Sequence, residues 1–280
     1  MRADLMDMLR VKREFVNFDL LQICQSGQCF RMTREHDNVY RIIAGDKYLT
    51  IEQDGKECFF HCREEVYEGF WKNYFDLDAD YGTYTGQIDA GDEYLKRAAA
   101  FGSGIRILRQ DLWEMIVTFL ISQQNNIGNI RRCIGNICEK YGEKKESGSG
   151  VLYDAFPTPE ALAHLAEDAL MECKLGYRSK YVVRSARRIL SGEVDLEALR
   201  VMPYPQAKEE LLKLYGIGVK VADCICLFAL HHLEAFPVDT HIKQVCDKHY
   251  PAGFPDSLYA GYQGVMQQYI FYYELFGNKE

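Results

Sequence analysis

Between residues 27 and 62 the chain runs through four short apolar stretches, QCFRM, NVYRIIA, KYLTIEQ and ECFFHC, separated by EHDN, AGDK and QDGK. The stretches are rich in β-branched and aromatic residues and the separators are turn formers, so the pattern predicts a meander of strands. The alternation is imperfect and leaves the register open. From Glu64 apolar positions recur at helical spacing, and 64–75 and 92–101 are predicted helices.

Beyond residue 110 the periodicity is helical throughout. The stretch 111–124 starts at Asp111, a natural N-cap, and is apolar almost all round, which predicts a buried helix. Further helices are predicted over 126–142, 158–166, 179–190, 204–215, 219–232, 240–250 and 257–276. The one at 158 has Thr158 as its cap and Pro159 in its first turn. EKKESGSG (143–150) reads as a flexible loop, and no internal repeat is present. The expectation is an α+β chain: an N-terminal antiparallel β-sheet domain over 1–80, a helical connection to about 109, and a mainly α-helical body over 110–280 packed against it.

Composition narrows the class. With 48% apolar and 26% charged residues the 280-residue chain is globular in type, and its longest apolar run, Cys224 to Leu230, is too short to span a bilayer. MRADLMDMLRVKREF has no apolar core of a signal peptide, so no membrane partner and a cytoplasmic location are expected, with the nucleoid in a bacterium or in the nucleus of a eukaryote. The ten cysteines lack paired zinc spacing, and after Cys226 only Cys246 remains, so no iron–sulfur cluster is expected. They read as reduced thiols packed as small hydrophobes.

A net charge of −8 argues against a general polyanion binder. Locally the balance reverses: Lys174, Arg178, Lys180, Arg184, Arg187 and Arg188 fall in fifteen residues without an acid. A phosphate-tracking surface and a solvated helix face both have that composition.

LLKLYGIGVKVADCICLFAL reads as helix, glycine turn, helix. Gly216 and Gly218 allow a tight turn with positive φ, and the free N–H groups of the second helix can hold phosphate oxygens. Lys220 sits at the positive end of an apolar helix, a poor place for an ammonium. Both factors favour the neutral amine, the form that attacks carbon. A phosphate contact or a snorkelled lysine is the simpler reading of the hairpin alone. Asp239, after FPV, is a natural N-cap, and a carboxylate held there can stabilise a sugar cation or assist proton transfer. An ion pair between Lys220 and a Cys224 thiolate is an alternative that keeps the amine charged.

In this order, LYGIGVKVADCICLFALHHLEAFPVDTH resembles the helix-hairpin-helix, Gly-Pro-Asp motif of the DNA base-excision glycosylases. Val238 departs from the signature before its aspartate, as in the 8-oxoguanine DNA glycosylases of the eukaryotic type, whose usual forms GxKVADCICL and PVDxH are present. SGQCFRM, RQDLWEMIVTFLISQQNNI, LGYRSKYV and YAGYQGVMQQYIF extend the resemblance over most of the chain. It implies double-stranded DNA carrying a damaged base as partner, a monomer, and no required cofactor beyond a possible metal ion held by the hairpin backbone at Gly216 and Gly218. It implies Lys220 as nucleophile and Schiff-base former, Asp239 as essential acid, and His241 as a phosphate contact. Tyr177 matches the wedge that fills the gap left by a flipped nucleotide, with Arg178 beside it. Gly27 matches the carbonyl that reads N7–H, Cys224 and Phe271 the two walls of the base pocket, and Gln267 the reader of the Watson–Crick edge. Gln124, Asn125 and Asn129 match the loop facing the orphaned base. The eukaryotic relatives have arginine in place of Asn129 and asparagine in place of Gln124, so relaxed opposite-base preference is expected. A glycosylase for another damaged base and a non-catalytic DNA-binding module are the competing readings.

Overall fold

A computed structural model describes residues 10–277; the outermost residues of the two expected domains, 1–9 and 278–280, lie outside it. At the centre of the N-terminal sheet β3 (Val39–Ala44), β4 (Lys47–Asp54) and β5 (Glu57–Phe60) are antiparallel neighbours, with Ile42 opposite Leu49 and Ile51 opposite Phe60. Alternate residues along them, among them Tyr40, Ile42, Leu49, Ile51 and Phe60, enter one core. Leu20 and Ile23 of the helix Leu20–Gln25, and Trp71 and Phe75 from the end of a mixed helical run, fill that core from the other side.

The edges depart from the expected meander. β2 is only Met32–Arg34, and β1 (Val11–Glu14), whose VKRE carries a single apolar residue, pairs with β5 to give the order β1-β5-β4-β3-β2. Gln28, Cys29 and Phe30 are buried without being strand. Their polar groups are satisfied elsewhere: the Gln28 amide donates to Ser26 Oγ (2.8 Å) and Arg106 O (2.9 Å), accepts from Leu108 N (2.8 Å), and Gln110 Nε2 donates to Gln28 O (2.8 Å).

The second core belongs to the helical body. The helix Leu112–Ser122, capped by Asp111 and buried at ten of its eleven positions, runs through it as expected. Tyr81, Leu95, Ala98 and Ile107 join the same core, so the connecting segment packs with the body. Two six-residue helices, Tyr81–Gly86 and Leu196–Val201, are too short to register in the periodicity; Asp80 and Asp195 cap them. The last helix begins at Gln263, after a 3-10 turn and Gly261 at φ +90°. The loop at 143–150 proves to be part of a hairpin, β6 (Lys144–Glu146) against β7 (Leu152–Asp154). All ten cysteines are free and eight are buried. Among the described residues no helix is long and apolar enough to cross a membrane.

Two buried polar centres join sheet and body. Glu114, in the body helix, accepts from Gly45 N at 2.8 Å and faces Arg31 Nη1 at 3.4 Å. Asp76, 5% exposed, lies 2.9 Å from Arg109 Nη2 and 3.3 Å from His231 Nε2, and accepts from the Tyr81 hydroxyl at 3.1 Å. Burial pushes the Asp76 pKa up, but His231 and Arg109 outweigh it and hold the carboxyl below its ordinary value. A depressed native pKa gives stability that is full above the unfolded value and lost as pH falls through the native one. The Asp76→Asn protein should therefore lose part of its stability at neutral pH and fall less steeply below pH ~4 than the parent. Urea midpoints measured from pH 7 down to pH 3 check this, and parallel curves would contradict it.

Candidate active site

The helices Tyr204–Leu212 and Val219–Phe228 form the hairpin that the glycines predict. Only Gly216 has positive φ, +91°, and a Cβ there would stand 2.7 Å from the Tyr181 ring. Gly218 is extended at φ −97°, which corrects the expectation of a left-handed residue at both positions. A Cβ on Gly218 would meet nothing within 4 Å, so packing within the protein does not explain that glycine. The helix it opens has no side-chain cap, leaving its first N–H groups for an outside acceptor.

Lys220 is half-buried one residue into that turn, its Nζ 5.6 Å from the centroid of Phe119, which stacks on Phe228 at 5.7 Å. Cys224 lies one helical turn on, beside the Lys220 amine. Burial pushes the Cys224 thiol up to about 11 against the pull of the Lys220 amine. That direction favours the thiol over a thiolate–ammonium pair. Asp239 caps Thr240–His249 by accepting from Ile242 N at 2.8 Å through Oδ1. Its Oδ2 has no hydrogen bond among the described residues.

Lys220 and Asp239 line one recess with Gly27, Cys224, Gln267 and Phe271. Gly27 has φ +76°, and a Cβ there would sit 2.9 Å from Phe271 Cε1, so the backbone lies flush on that ring. Gln267, 4% exposed, donates through Nε2 to Pro237 O at 3.1 Å. Phe119, Phe228, Pro237 and Gln268 complete the lining and were not singled out from sequence, where they look like ordinary core.

A larger groove shares Lys220 and Asp239 and continues past Gln124, Asn125 and His241. Asn129 is tied to this loop: its Nδ2 donates to Asn125 Oδ1 at 2.8 Å, and Arg132 donates to its Oδ1 at 2.7 Å. Tyr177 stands 47% exposed on a 3-10 turn, edge-on to Tyr181 at 5.7 Å.

Arg178, expected beside Tyr177 as a DNA contact, is engaged within the protein. It is buried, and its guanidinium donates to the carbonyls of Gln123 and Gln124. Gln123 Nε2 in turn donates to Gly216 O at 3.0 Å. The turn of Tyr177, the 123–125 loop and the hairpin are thus fastened together. The rest of the basic run is exposed but largely paired within the chain: Arg184 with Glu167, Arg188 with Glu193, and Arg187 donating to Ala163 O. Among the described residues no cluster of three or more His, Cys, Asp or Glu is placed to hold a metal.

A sheet domain on a hairpin-bearing helical body, with a lysine and a capping aspartate in one recess, defines a DNA-repair glycosylase fold. The chain belongs to the HhH-GPD superfamily of base excision DNA repair proteins, whose profile matches residues 117–256. Residues 9–116 match the 8-oxoguanine DNA glycosylase N-terminal domain. A structure of MBOgg1 in complex with a low-affinity DNA ligand aligns with a TM-score of 0.91, at 33% identity and over 97% of both chains. The apo form of Clostridium acetobutylicum 8-oxoguanine glycosylase/lyase aligns with a TM-score of 0.89, at 39% identity, over 95% of this chain and 96% of that one. The N-glycosylase/DNA lyase of Saccharomyces cerevisiae is 35% identical over 158 residues, which are 52% of this chain and 42% of the yeast protein. The chain thus spans less than half the length of that curated relative.

The two hairpin glycines should respond differently to alanine. Gly216→Ala meets both a left-handed backbone and the Tyr181 ring and should cost about 1–3 kcal/mol. Gly218→Ala should stay within about 0.5 kcal/mol of the parent. Chemical denaturation of the two variants side by side is the measurement; equal losses would contradict the assignment.

Proposed function

We propose that this chain is a bifunctional DNA glycosylase/AP lyase that excises 8-oxoguanine from duplex DNA. The observation that carries the reading is the convergence of Gly27, Lys220, Cys224, Asp239, Gln267 and Phe271, drawn from both ends of the sequence, on a single recess. A base can reach that recess only by leaving the stack, at a cost of a few kcal/mol. Tyr177 would fill the vacated space while the uncapped helix start at Gly218 holds a phosphate.

With the base between Cys224 and Phe271, the Gly27 carbonyl accepts from N7–H, a donor that 8-oxoguanine has and guanine lacks. Lys220 Nζ attacks C1′ as the glycosidic bond breaks, and the bond's electron pair leaves with the base, which takes up a proton. Asp239 stabilises the positive charge that develops on the sugar and receives a proton from the attacking amine. Opening of the sugar ring gives an imine between Nζ and C1′; loss of a C2′ proton then expels the 3′ phosphate, and water releases Lys220.

Borohydride reduction during turnover of an 8-oxoguanine duplex should trap a protein–DNA adduct. The adduct should be absent with Lys220→Gln, and Asp239→Asn should slow base release by about 10²-fold or more. Active parent protein that gives no adduct would rule out the lysine mechanism.

The loop opposite the lesion presents Asn129 with both ends of its amide already engaged, by Asn125 and Arg132. Asparagine there lacks the two-pronged guanidinium that reads a base edge. Single-turnover excision rates opposite C, T, G and A should agree within about tenfold, less than the discrimination one good bidentate contact gives. A steep preference for C would sink this part of the reading.

A further inference from the structure

One polar group in the recess has no part in the chemistry above. Gln268 is 3% exposed, directly follows Gln267 on the helix Gln263–Phe276, and lines the recess with it. Its Nε2 donates to Gln267 Oε1 at 3.1 Å, and Gln267 Nε2 donates to Pro237 O at 3.1 Å. The amides form a chain with one direction, from Gln268 through Gln267 to Pro237. Turning Gln267 over would set donor against donor at one end and acceptor against acceptor at the other, so the chain fixes the Gln267 orientation. At its head, Gln268 Oε1 is buried with no hydrogen-bond partner. A buried amide oxygen without a partner is costly, and such groups in native structures call for an explanation.

We infer that Gln268 is a specificity-determining residue: its unpaired Oε1 accepts a hydrogen bond from the 2-amino group of the flipped purine, and its Nε2 holds Gln267 Oε1 as the neighbouring acceptor. The inference rests on reading the recess as an 8-oxoguanine pocket. A guanine-type edge carries two adjacent donors, N1–H and the 2-amino group, beside its O6 acceptor. Two amide oxygens side by side match those donors, and Gln267 Oε1 keeps a second lone pair after accepting from Gln268. A base lacking the 2-amino group leaves Gln268 Oε1 unpaired, and a site built around a buried hydrogen bond rejects such an analogue.

The test compares duplexes carrying 8-oxoguanine with duplexes carrying 8-oxohypoxanthine, which keeps N7–H, O6 and N1–H and lacks only the 2-amino group. Single-turnover excision by the parent protein should favour 8-oxoguanine by about tenfold or more. In Gln268→Leu that ratio should fall to within about threefold, because both lesions lose the hold on Gln267 Oε1 but only 8-oxoguanine also loses the bond to its 2-amino group. Gln268→Met is the second variant should leucine impair folding, and thermal melts of both accompany the rates. Equal rates on the two lesions in the parent overturn the inference, as does a ratio that survives in the variants or an equal slowing on both lesions. A folded parent that excises neither lesion overturns the 8-oxoguanine reading itself, and this inference with it.

Discussion

The buried amide of Gln28 fixes the relation between the two halves of the molecule. It ties the loop beside Gly27 to the backbone at Arg106 and Leu108, the strip of chain that leads from sheet to body. Gln110, whose side chain holds Gln28 O, donates its own N–H to Phe228 O at the end of the hairpin helix. Two links therefore separate the Gly27 loop from the helix that carries Lys220. Gly27 owes its position to this lattice, because its own conformation is one that few other residues adopt and its Cα is pressed against Phe271. The sheet domain is more than a platform: it delivers one wall of a recess whose other walls belong to the body.

A second set of backbone bonds governs the outer surface. Arg178 and Gln123 fasten the turn of Tyr177, the loop at Gln124 and Asn125, and the hairpin at Gly216 into one unit. The protein thereby spends a guanidinium on its own carbonyls in a region whose composition suggested a phosphate contact. A net charge of −8 gives a polyanion no attraction at long range, so the DNA contact proposed above would fall to oriented N–H groups and a few remaining cations. A surface held rigid by internal bonds suits that mode, since its donors are in place before anything arrives.

Lys220 and Asp239 were legible because local rules place them, one in the first turn of an apolar helix and one as the cap of the next, whereas the pocket role of Cys224 came only with likeness to known proteins. Gly27, Gln267 and Phe271 could be named only through likeness to known proteins, for nothing in their local sequence separates them from core. Phe119, Pro237 and Gln268 escaped both routes. Arg178 shows the limit of composition: a count of charges does not reveal which way a side chain turns, and here the carbonyls of Gln123 and Gln124 take the guanidinium. The sheet's centre was readable from alternation, whereas β1, with a single apolar residue, is a strand only because β5 offers it an edge. The end of the hairpin helix at Phe228 was also invisible, because the apolar run continues through Leu230 while the backbone turns left-handed at His231.

The burial of the cysteines has a chemical outcome beyond packing. Burial pushes the Cys224 thiol up to about 11, which disfavours the thiolate, the form that reacts readily with peroxide. Cys29 is pushed to a similar value, and Cys58, Cys138 and Cys226 to about 12. Peroxide and related oxidants therefore meet a recess wall that is slow to take up oxygen. A protein of this composition can hold the shape of that recess under the same oxidative stress that turns guanine into 8-oxoguanine.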